Sequence, residues 1–233
     1  MSDPKPAAPG YLEVTYSPAR LPPGDYPAHL ARHLAETVLP KPGRLLDVGC
    51  GIGQYLDAFG ALGYRCSGVD SAPSAAAAGR DVRRADLERE LLPFPDSSFD
   101  AVFCKSVVEH LHDPVRLLTE FRRVLAPGGT AVVMTPSWRH QSRIFFEDVG
   151  HVKPFAAGAL GDALTLAGFL SVQVRYFRQL PVLWALPVLR PLAWATALLP
   201  LPYRPWDPAP WPEPVNKWIR FSKELMLLGT ASK

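Results

Sequence analysis

The fold is decided by the run Leu45-Leu46-Asp47-Val48-Gly49-Cys50-Gly51-Ile52-Gly53. A short apolar segment of the kind that forms a buried strand leads directly into three alternating glycines. Glycine lets the backbone turn tightly and approach a ligand without a Cβ in the way. Ligands of open α/β sheets bind outside the carboxyl ends of the strands. We therefore expect a binding loop between a first strand and its helix.

Strand-like and helical segments alternate on both sides of this loop. The predicted strands cover 44–48, 64–70, 81–87, 99–106, 130–136, 169–177 and 220–231. The predicted helices cover 26–39, 53–63, 71–80, 113–129 and 155–168. Alternation at this spacing predicts an α/β fold with a parallel sheet and helices on both faces.

Two other glycine-rich nucleotide loops do not match. The dinucleotide fingerprint would need glycine where Gln54 or Leu56 stands. A P-loop would need Gly-Lys followed by Ser or Thr, and this is missing. The loop over 49–53 therefore favours another kind of ligand.

Acidic residues recur where the first three predicted strands end: Asp47, Asp70 and Asp86. Asp70 follows Gly53 by 17 residues, a distance at which a carboxylate reaches ribose hydroxyls. A single Asp after a strand is more often a turn or capping residue. Three in succession on one rim are less easily explained as separate turn or capping residues.

In these motifs the chain resembles the class I S-adenosylmethionine-dependent methyltransferases. The matching segments are LLDVGCGIGQYL (45–56), GVD (68–70), ADL (85–87) and the long run from LPFPDSSFD to VVMTP (92–136). The resemblance implies S-adenosyl-L-methionine as cofactor. It also implies a Rossmann-like, seven-stranded, mostly parallel sheet with an antiparallel last strand.

The same resemblance implies roles for individual residues. The glycine loop would wrap the methionine portion with Asp47 near its ammonium group, and Asp70 would take the ribose. Asp86 and Leu87 would hold the adenine, and Lys105 would lie near the sulfonium in place of a commoner small residue. The expected cofactor-binding residues are Asp47, Gly49, Cys50, Gly51, Gly53, Asp70, Ser71, Asp86, Leu87, Lys105 and Ser106.

Two histidines are candidates for the base that removes a proton from the acceptor. His110 follows the fourth predicted strand and His151 follows the fifth, on the same rim. A packing role for His110 and a loop-stabilising role for His151 are the alternatives. A metal site built from His110, His112 and His151 with Glu109 or Asp113 lacks a recognisable ligand spacing, so no metal is expected.

An apolar insertion precedes the last predicted strand, over 178–218. Residues 180–202 carry one charge, Arg190, and prolines 181, 187 and 191 interrupt the run, so a membrane crossing is not expected. Five of the six tryptophans fall in or just after it. The insertion is interpreted either as an apolar element that covers an apolar acceptor or lies on a membrane surface, or as an extra helical layer packed on the sheet.

Composition and charge limit the class of protein. The chain has 233 residues, 48% of them hydrophobic, and a net charge of +3, which gives no case for nucleic acid and excludes a disordered chain. Three unpaired-looking cysteines and an N-terminus without an apolar signal core predict a cytoplasmic protein. We expect an arm over 1–25, a methyltransferase domain over 26–177 and 219–233, and the insertion.

These observations predict a methyltransferase that acts on a small molecule. The expected reaction is O-methylation of an apolar, lipid-linked or glycan-type acceptor, with the inner face of the membrane as a further contact. A catalytically silent S-adenosylmethionine-binding module that recruits a partner or a membrane is the alternative.

Overall fold

The computed structural model describes residues 24–72, 79–203 and 210–233. Of the predicted arm over 1–25, only the last two residues lie within these ranges. The predicted helix over 71–80 falls mostly outside them. The insertion predicted over 178–218 is described except for residues 204–209.

Seven strands of the described chain form one sheet. They are β1 (Arg44–Val48), β2 (Arg65–Asp70), β3 (Val82–Arg84), β4 (Phe99–Lys105), β5 (Leu125–Pro136), β6 (Ser171–Arg178) and β7 (Leu225–Ser232). Their spatial order is β3-β2-β1-β4-β5-β7-β6. The pairs from β3 through to β5 are parallel, whereas β7 runs antiparallel to both β5 and β6. This confirms the predicted Rossmann-like sheet with its antiparallel last strand.

Helices cover both faces of the sheet. They are α1 (Tyr26–Thr37), α2 (Gln54–Gly60), α3 (Pro114–Val124), α4 (Trp138–Gln141), α5 (Ala157–Leu166), α6 (Pro181–Ala185), α7 (Arg190–Leu198) and α8 (Glu213–Lys223). On one face, Leu30 and Leu34 of α1 pack with Phe103. On the other face, Leu117 of α3 and Leu160 of α5 share a core cluster. The prediction of helices on both faces is confirmed.

The predicted start of the last strand is wrong. Residues up to Lys223 are helical, and β7 begins at Leu225. Asn216, Ile219 and Ser222 are buried three residues apart, so this stretch presents one helical face to the core. The strand that the sequence predicts from residue 220 therefore starts only after Glu224.

Two other predicted boundaries also shift. The third strand is shorter than predicted, covering only Val82–Arg84, and residues 85–87 follow it as a loop. Helix α3 ends at Val124 and β5 starts at Leu125, because Leu125 already pairs with Phe99 before a register shift. Neither shifted boundary moves the carboxyl ends of the parallel strands away from their common edge of the sheet.

The insertion packs against the outer end of the sheet through its first turn. Trp184 of α6 stacks on His33 of α1, with ring centroids 4.7 Å apart, and lies 5.2 Å from Phe177 of β6. Its indole donates a hydrogen bond to the carbonyl of Arg178. Within the described ranges, every helix is too short or too polar to cross a membrane.

Candidate active site

The glycine loop follows β1 in a conformation that only glycine adopts easily. Gly49, Gly51 and Gly53 have φ angles of +74°, +53° and +82°. A Cβ on Gly49 would lie 2.2 Å from Cγ2 of Val107. The loop therefore presents bare backbone at the carboxyl end of β1, as a cradle for a ligand requires.

Asp70 holds this loop from the end of β2. Its Oδ2 accepts a hydrogen bond from the amide of Gly51, and its Oδ1 accepts one from the amide of Ala72, each at 2.9 Å. The residue is 7% exposed. The Asp70 carboxylate thus lies against the glycine loop and holds its backbone in place.

Asp47 lies beneath the loop as a buried carboxyl group. It is 2% exposed, and its Oδ2 has no hydrogen-bond partner in the described part of the chain. Burial, together with the charge of Asp70, raises the pKa of Asp47 to about 8. A buried oxygen in this position suits a cationic ligand, since an ammonium group would supply both the missing donor and the compensating charge. The residues present therefore fit the amino-acid end of S-adenosylmethionine.

Cys50 and Ser71 flank these acids. The Cys50 side chain is buried with Leu56 and lies against β2, where a Cβ on Gly68 would be 2.8 Å from its sulfur. Burial raises the pKa of the thiol to about 12, so Cys50 stays protonated near neutral pH. Ser71 is exposed just after Asp70, and its carbonyl accepts a hydrogen bond from Arg84.

Asp86 and Leu87 lie after β3 on the same rim. Asp86 is half-buried, and its Oδ1 accepts a hydrogen bond from the amide of Glu88. Leu87 is 8% exposed and belongs to the core cluster. A ligand at this rim could therefore form a polar contact with the carboxylate of Asp86. It could contact only the small exposed part of Leu87.

The end of β4 carries Lys105 and Ser106. Ser106 has a φ of +57°, rare for a residue with a side chain, and its amide donates to the carbonyl of Met134 on β5. Lys105 is half-buried with its Nζ 3.5 Å from the Ser106 hydroxyl. Burial lowers the pKa of Lys105, partly offset by the charge of Glu109.

The two predicted histidines lie side by side. The ring centroids of His110 and His151 are 4.8 Å apart. Nδ1 of His151 lies 2.7 Å from the carbonyl oxygen of Phe145, which can only accept, so Nδ1 carries the proton and Nε2 carries the lone pair in the neutral ring. Burial, reinforced by the neighbouring His151, lowers the pKa of His110. In its neutral form, His151 can therefore accept a proton at Nε2.

Glu109, which sequence reasoning did not single out as a catalytic residue, underlies this pair. It is fully buried; its Oε2 accepts a hydrogen bond from Thr135 Oγ1 at 2.9 Å, and its Oε1 has no partner among the described residues. Its backbone carbonyl accepts the amides of Val152 and Lys153, which brings the His151 loop to the end of β4. Burial raises the pKa of Glu109 to about 7. The acidic residue before His110 was visible in the sequence, but its burial was not.

The same three side chains have the geometry of a metal-ligand set. One atom each from Glu109, His110 and His151 lies within 4.8 Å of the others. Spacing alone missed this grouping because the loop after β5 returns His151 to the end of β4. The other two residues weighed for such a set lie apart: His112 is exposed and near Glu88, and Asp113 caps α3 through the amide of Arg116.

Known proteins resemble this chain over a segment that includes the glycine loop. A family model described as "Methyltransferase domain" matches residues 46–133, which contain the glycine loop and the strand-end acids. A Mycolicibacterium smegmatis protein named as an S-adenosylmethionine-dependent methyltransferase is 33% identical over 138 residues, covering 54% of this chain and 51% of that protein. The Xanthomonas campestris ubiquinone biosynthesis O-methyltransferase is 34% identical over 119 residues, covering 47% of this chain and 49% of that protein. The chain spans about half the length of the curated relatives it matches.

Solved structures show the same fold over a wider range. A crystal structure of an S-adenosylmethionine-dependent methyltransferase from Archaeoglobus fulgidus is 21% identical with a TM-score of 0.62, covering 89% of this chain and 94% of that chain. This likeness extends the shared sheet beyond the segment that the family model matches. Residues 46–133 therefore match the methyltransferase domain family, which implies S-adenosyl-L-methionine as cofactor, and the described chain is similar in fold to a solved S-adenosylmethionine-dependent methyltransferase.

Proposed function

We propose that the protein transfers a methyl group from S-adenosyl-L-methionine to an oxygen of a small-molecule acceptor that has an apolar part. The observation that carries the proposal is the position of two sites on one rim of the sheet. The cradle of Gly49 and Asp70 lies at the ends of β1 and β2, and the His110–His151 pair follows β4.

The cofactor supplies a methyl group already activated on a sulfonium. Asp47 would hold its ammonium group, Asp70 its ribose and Asp86 its adenine. The backbone of the glycine loop would pass close to its methionine portion. What these residues contribute is orientation, which in favourable cases lowers a barrier by about 7–11 kcal/mol.

The histidines would remove the proton of an acceptor hydroxyl. His151 is the better placed of the two, because its Nδ1–H is held by the Phe145 carbonyl and its Nε2 keeps the lone pair. The imidazole of His110 adjoins that of His151, with ring centroids 4.8 Å apart, and burial lowers the pKa of His110. The buried Glu109 would hold the loop that carries His151, through its backbone carbonyl.

The insertion supports an acceptor with an apolar part. Helices α6 and α7 and the turn between them leave several large apolar side chains exposed to solvent: Leu186, Val188, Leu192, Trp194, Leu198 and Leu199. Exposed apolar patches commonly mark ligand, partner or membrane contacts. One of the relatives is named as a ubiquinone biosynthesis O-methyltransferase, which is consistent with transfer to oxygen.

The same surface leads us to propose contact with a membrane at its cytoplasmic face. Flotation with anionic liposomes tests this, comparing the native protein with Trp194→Glu and Leu198→Glu. Flotation that both substitutions reduce supports membrane contact. Absence of flotation by the native protein, or equal flotation of all three, contradicts it.

The central experiment separates catalysis from cofactor binding alone. Calorimetry first measures S-adenosylmethionine affinity. Release of S-adenosylhomocysteine is then followed with an organic extract of cells as the source of acceptors. We expect turnover that His151→Ala reduces without loss of cofactor affinity. Absence of cofactor binding contradicts the proposal, whereas binding with no product over background favours a silent cofactor-binding module.

A further inference from the structure

A second cavity lies on the acceptor side of the same rim. Its volume is about 1090 Å³, and its walls come from α4 and the turn after it, the end of β6, helix α7 and the end of α8. It lies beyond β5 from the glycine loop, because β7 and β6 follow β5 in the sheet. No role in cofactor binding accounts for it.

The lining of this cavity is strongly basic. In its described part, the arginine and lysine side chains are Arg139, Arg143, Arg178 and Lys223, whereas Glu147 supplies the single carboxylate. Their fields overlap: after burial, Arg143 is the cause that lowers the pKa of Lys223. A concentration of like charge of this kind is unfavourable in the free protein and indicates a site for an anion.

The arginines are also short of partners. Arg139 and Arg143 form no hydrogen bond or ion pair with residues in the described ranges, and the buried Nε of Arg178 has no acceptor there. Burial lowers the pKa of Arg178. Arginine presents a planar fork of donors that matches phosphate and carboxylate oxygens, so these three side chains can converge on one anion.

An independent observation comes from Ser222. This residue is fully buried, lines the cavity, and its hydroxyl has no hydrogen-bond partner in the described chain. A buried hydroxyl without a partner is costly, and a ligand oxygen at this point would satisfy it. The cavity wall thus holds a buried hydroxyl without a partner besides the arginines.

The other wall is apolar. Trp194 and Leu198 of α7, with Leu201 after it, line the cavity and continue into the exposed apolar surface of the insertion. A ligand that fills this space would be amphiphilic, with an anionic group against the arginines and an apolar chain along α7.

The cavity is joined to the histidine pair through one short segment. Ile144 and Glu147 line the cavity, while Phe145 between them holds His151 through its carbonyl oxygen. The Phe145 ring also lies 4.5 Å from the His151 ring. The cavity wall and the support of His151 therefore share the segment 144–147.

We propose that this cavity binds the phosphate group of an amphiphilic acceptor, with its apolar chain on α7. Phosphate is favoured over carboxylate because the cations outnumber Glu147 by more than one charge, and a phosphate monoester carries more than one negative charge near neutral pH. The assignment of this ligand as the acceptor rests on the proposed function. The binding site itself does not.

The test uses dodecyl phosphate below its micellar concentration, with dodecyl maltoside and inorganic phosphate as comparison ligands. Binding is measured by calorimetry on the full chain and on Arg178→Gln, Arg139→Gln/Arg143→Gln and Trp194→Ala. Arg65→Gln is the matched control, because Arg65 is exposed at the opposite end of β2. S-adenosylhomocysteine affinity, measured on every variant, reports the integrity of the fold and of the cofactor site.

We expect dodecyl phosphate to bind the native protein and Arg65→Gln equally, and at least tenfold more weakly to Arg178→Gln and to the double variant. Dodecyl maltoside should bind less tightly than dodecyl phosphate. Equal affinity of all variants for dodecyl phosphate, or equal affinity for the maltoside, overturns the anion site. Inorganic phosphate binding as tightly as dodecyl phosphate, or an unchanged affinity in Trp194→Ala, overturns the apolar half of the proposal.

Discussion

The Oδ2 atom of Asp70 lies 2.9 Å from the amide nitrogen of Gly51 and accepts its hydrogen bond, which fastens the end of β2 to the glycine loop after β1. A second bond, from the amide of Ala72 to Oδ1, fixes the carboxylate in the plane it needs. Because the loop conformation depends on this carboxylate, the cofactor site and the strand that supports it act as one unit.

Asp70→Ala should weaken S-adenosylmethionine binding more than tenfold, which corresponds to about 1.4 kcal/mol or more. The variant loses the proposed ribose contact and frees the Gly51 amide. Asp81→Ala is the control, since Asp81 is an exposed carboxylate nearby whose bond is to Ser67. Calorimetry measures both; native-like affinity in Asp70→Ala would contradict the ribose assignment.

Asp47→Asn should change stability and affinity in opposite directions. The pKa of Asp47 in the folded, ligand-free protein is about 8, above the ordinary aspartate value in the unfolded chain. Its contribution to stability is therefore fully present below the unfolded pKa, falls as pH rises, and is lost as pH passes through about 8.

Denaturant unfolding at pH 5, 7 and 9 measures this effect. We expect the free energy of unfolding of the native protein to decline more steeply across this range than that of Asp47→Asn. Cofactor affinity of the variant should fall at least tenfold, because the ammonium group loses its counter-charge. If the free energy of unfolding changed with pH in the same way for both proteins, the Asp47 carboxyl group would not have the raised pKa that its burial implies.

His151→Ala and His110→Ala should each lower kcat, within the about 10²–10⁴-fold range of general-base catalysis. Cofactor affinity should be unchanged. His112→Ala provides the matched control, because its side chain is 81% exposed. Turnover that none of the three substitutions alters would remove the base assignment from this pair.

If His110 is the base, the acidic limb of the pH dependence of kcat should lie below the ordinary histidine pKa of about 6.5, because burial lowers the pKa of His110. The base is neutral, and therefore active, above that limb. Rates measured from pH 5 to 8 locate it. A limb above pH 7 would indicate that another group controls the reaction.

Treatment with a chelator distinguishes two roles for Glu109, His110 and His151, proton transfer and metal binding. If these residues act as bases and supports, dialysis against EDTA should leave turnover and melting temperature unchanged. A loss that zinc or manganese restores, and that Glu109→Gln abolishes, would instead make them ligands.

Much of the fold and of the cofactor side could be predicted because local sequence determines it. Gly49, Gly51 and Gly53 occupy left-handed conformations that require glycine, and Asp47 and Asp70 close the strands before a turn. The carboxyl ends of parallel strands share one rim, so the acids converge without any long-range information.

The acceptor side depended on contacts that no local pattern reveals. The bond between Glu109 and Thr135, and the return of the His151 loop to the Glu109 carbonyl, join distant segments. The helical face of Asn216, Ile219 and Ser222 was obscured by the apolar strand that follows it. The basic cavity brings together Arg139, Arg178 and Ser222, which lie far apart in the chain.

The position of β7 has a consequence for the order in which the molecule folds. Among the described strands, β6 pairs only with β7, which also pairs with β5 and is the last of the seven along the chain. Strands β1 to β5, which carry the glycine loop, can pair before the rest of the chain is made. Strand β6 can join the sheet only after residues 225–232 have been synthesised. Such distant pairing is slow, and until it occurs the nascent chain exposes an apolar and basic stretch, the stage at which chaperone protection matters most.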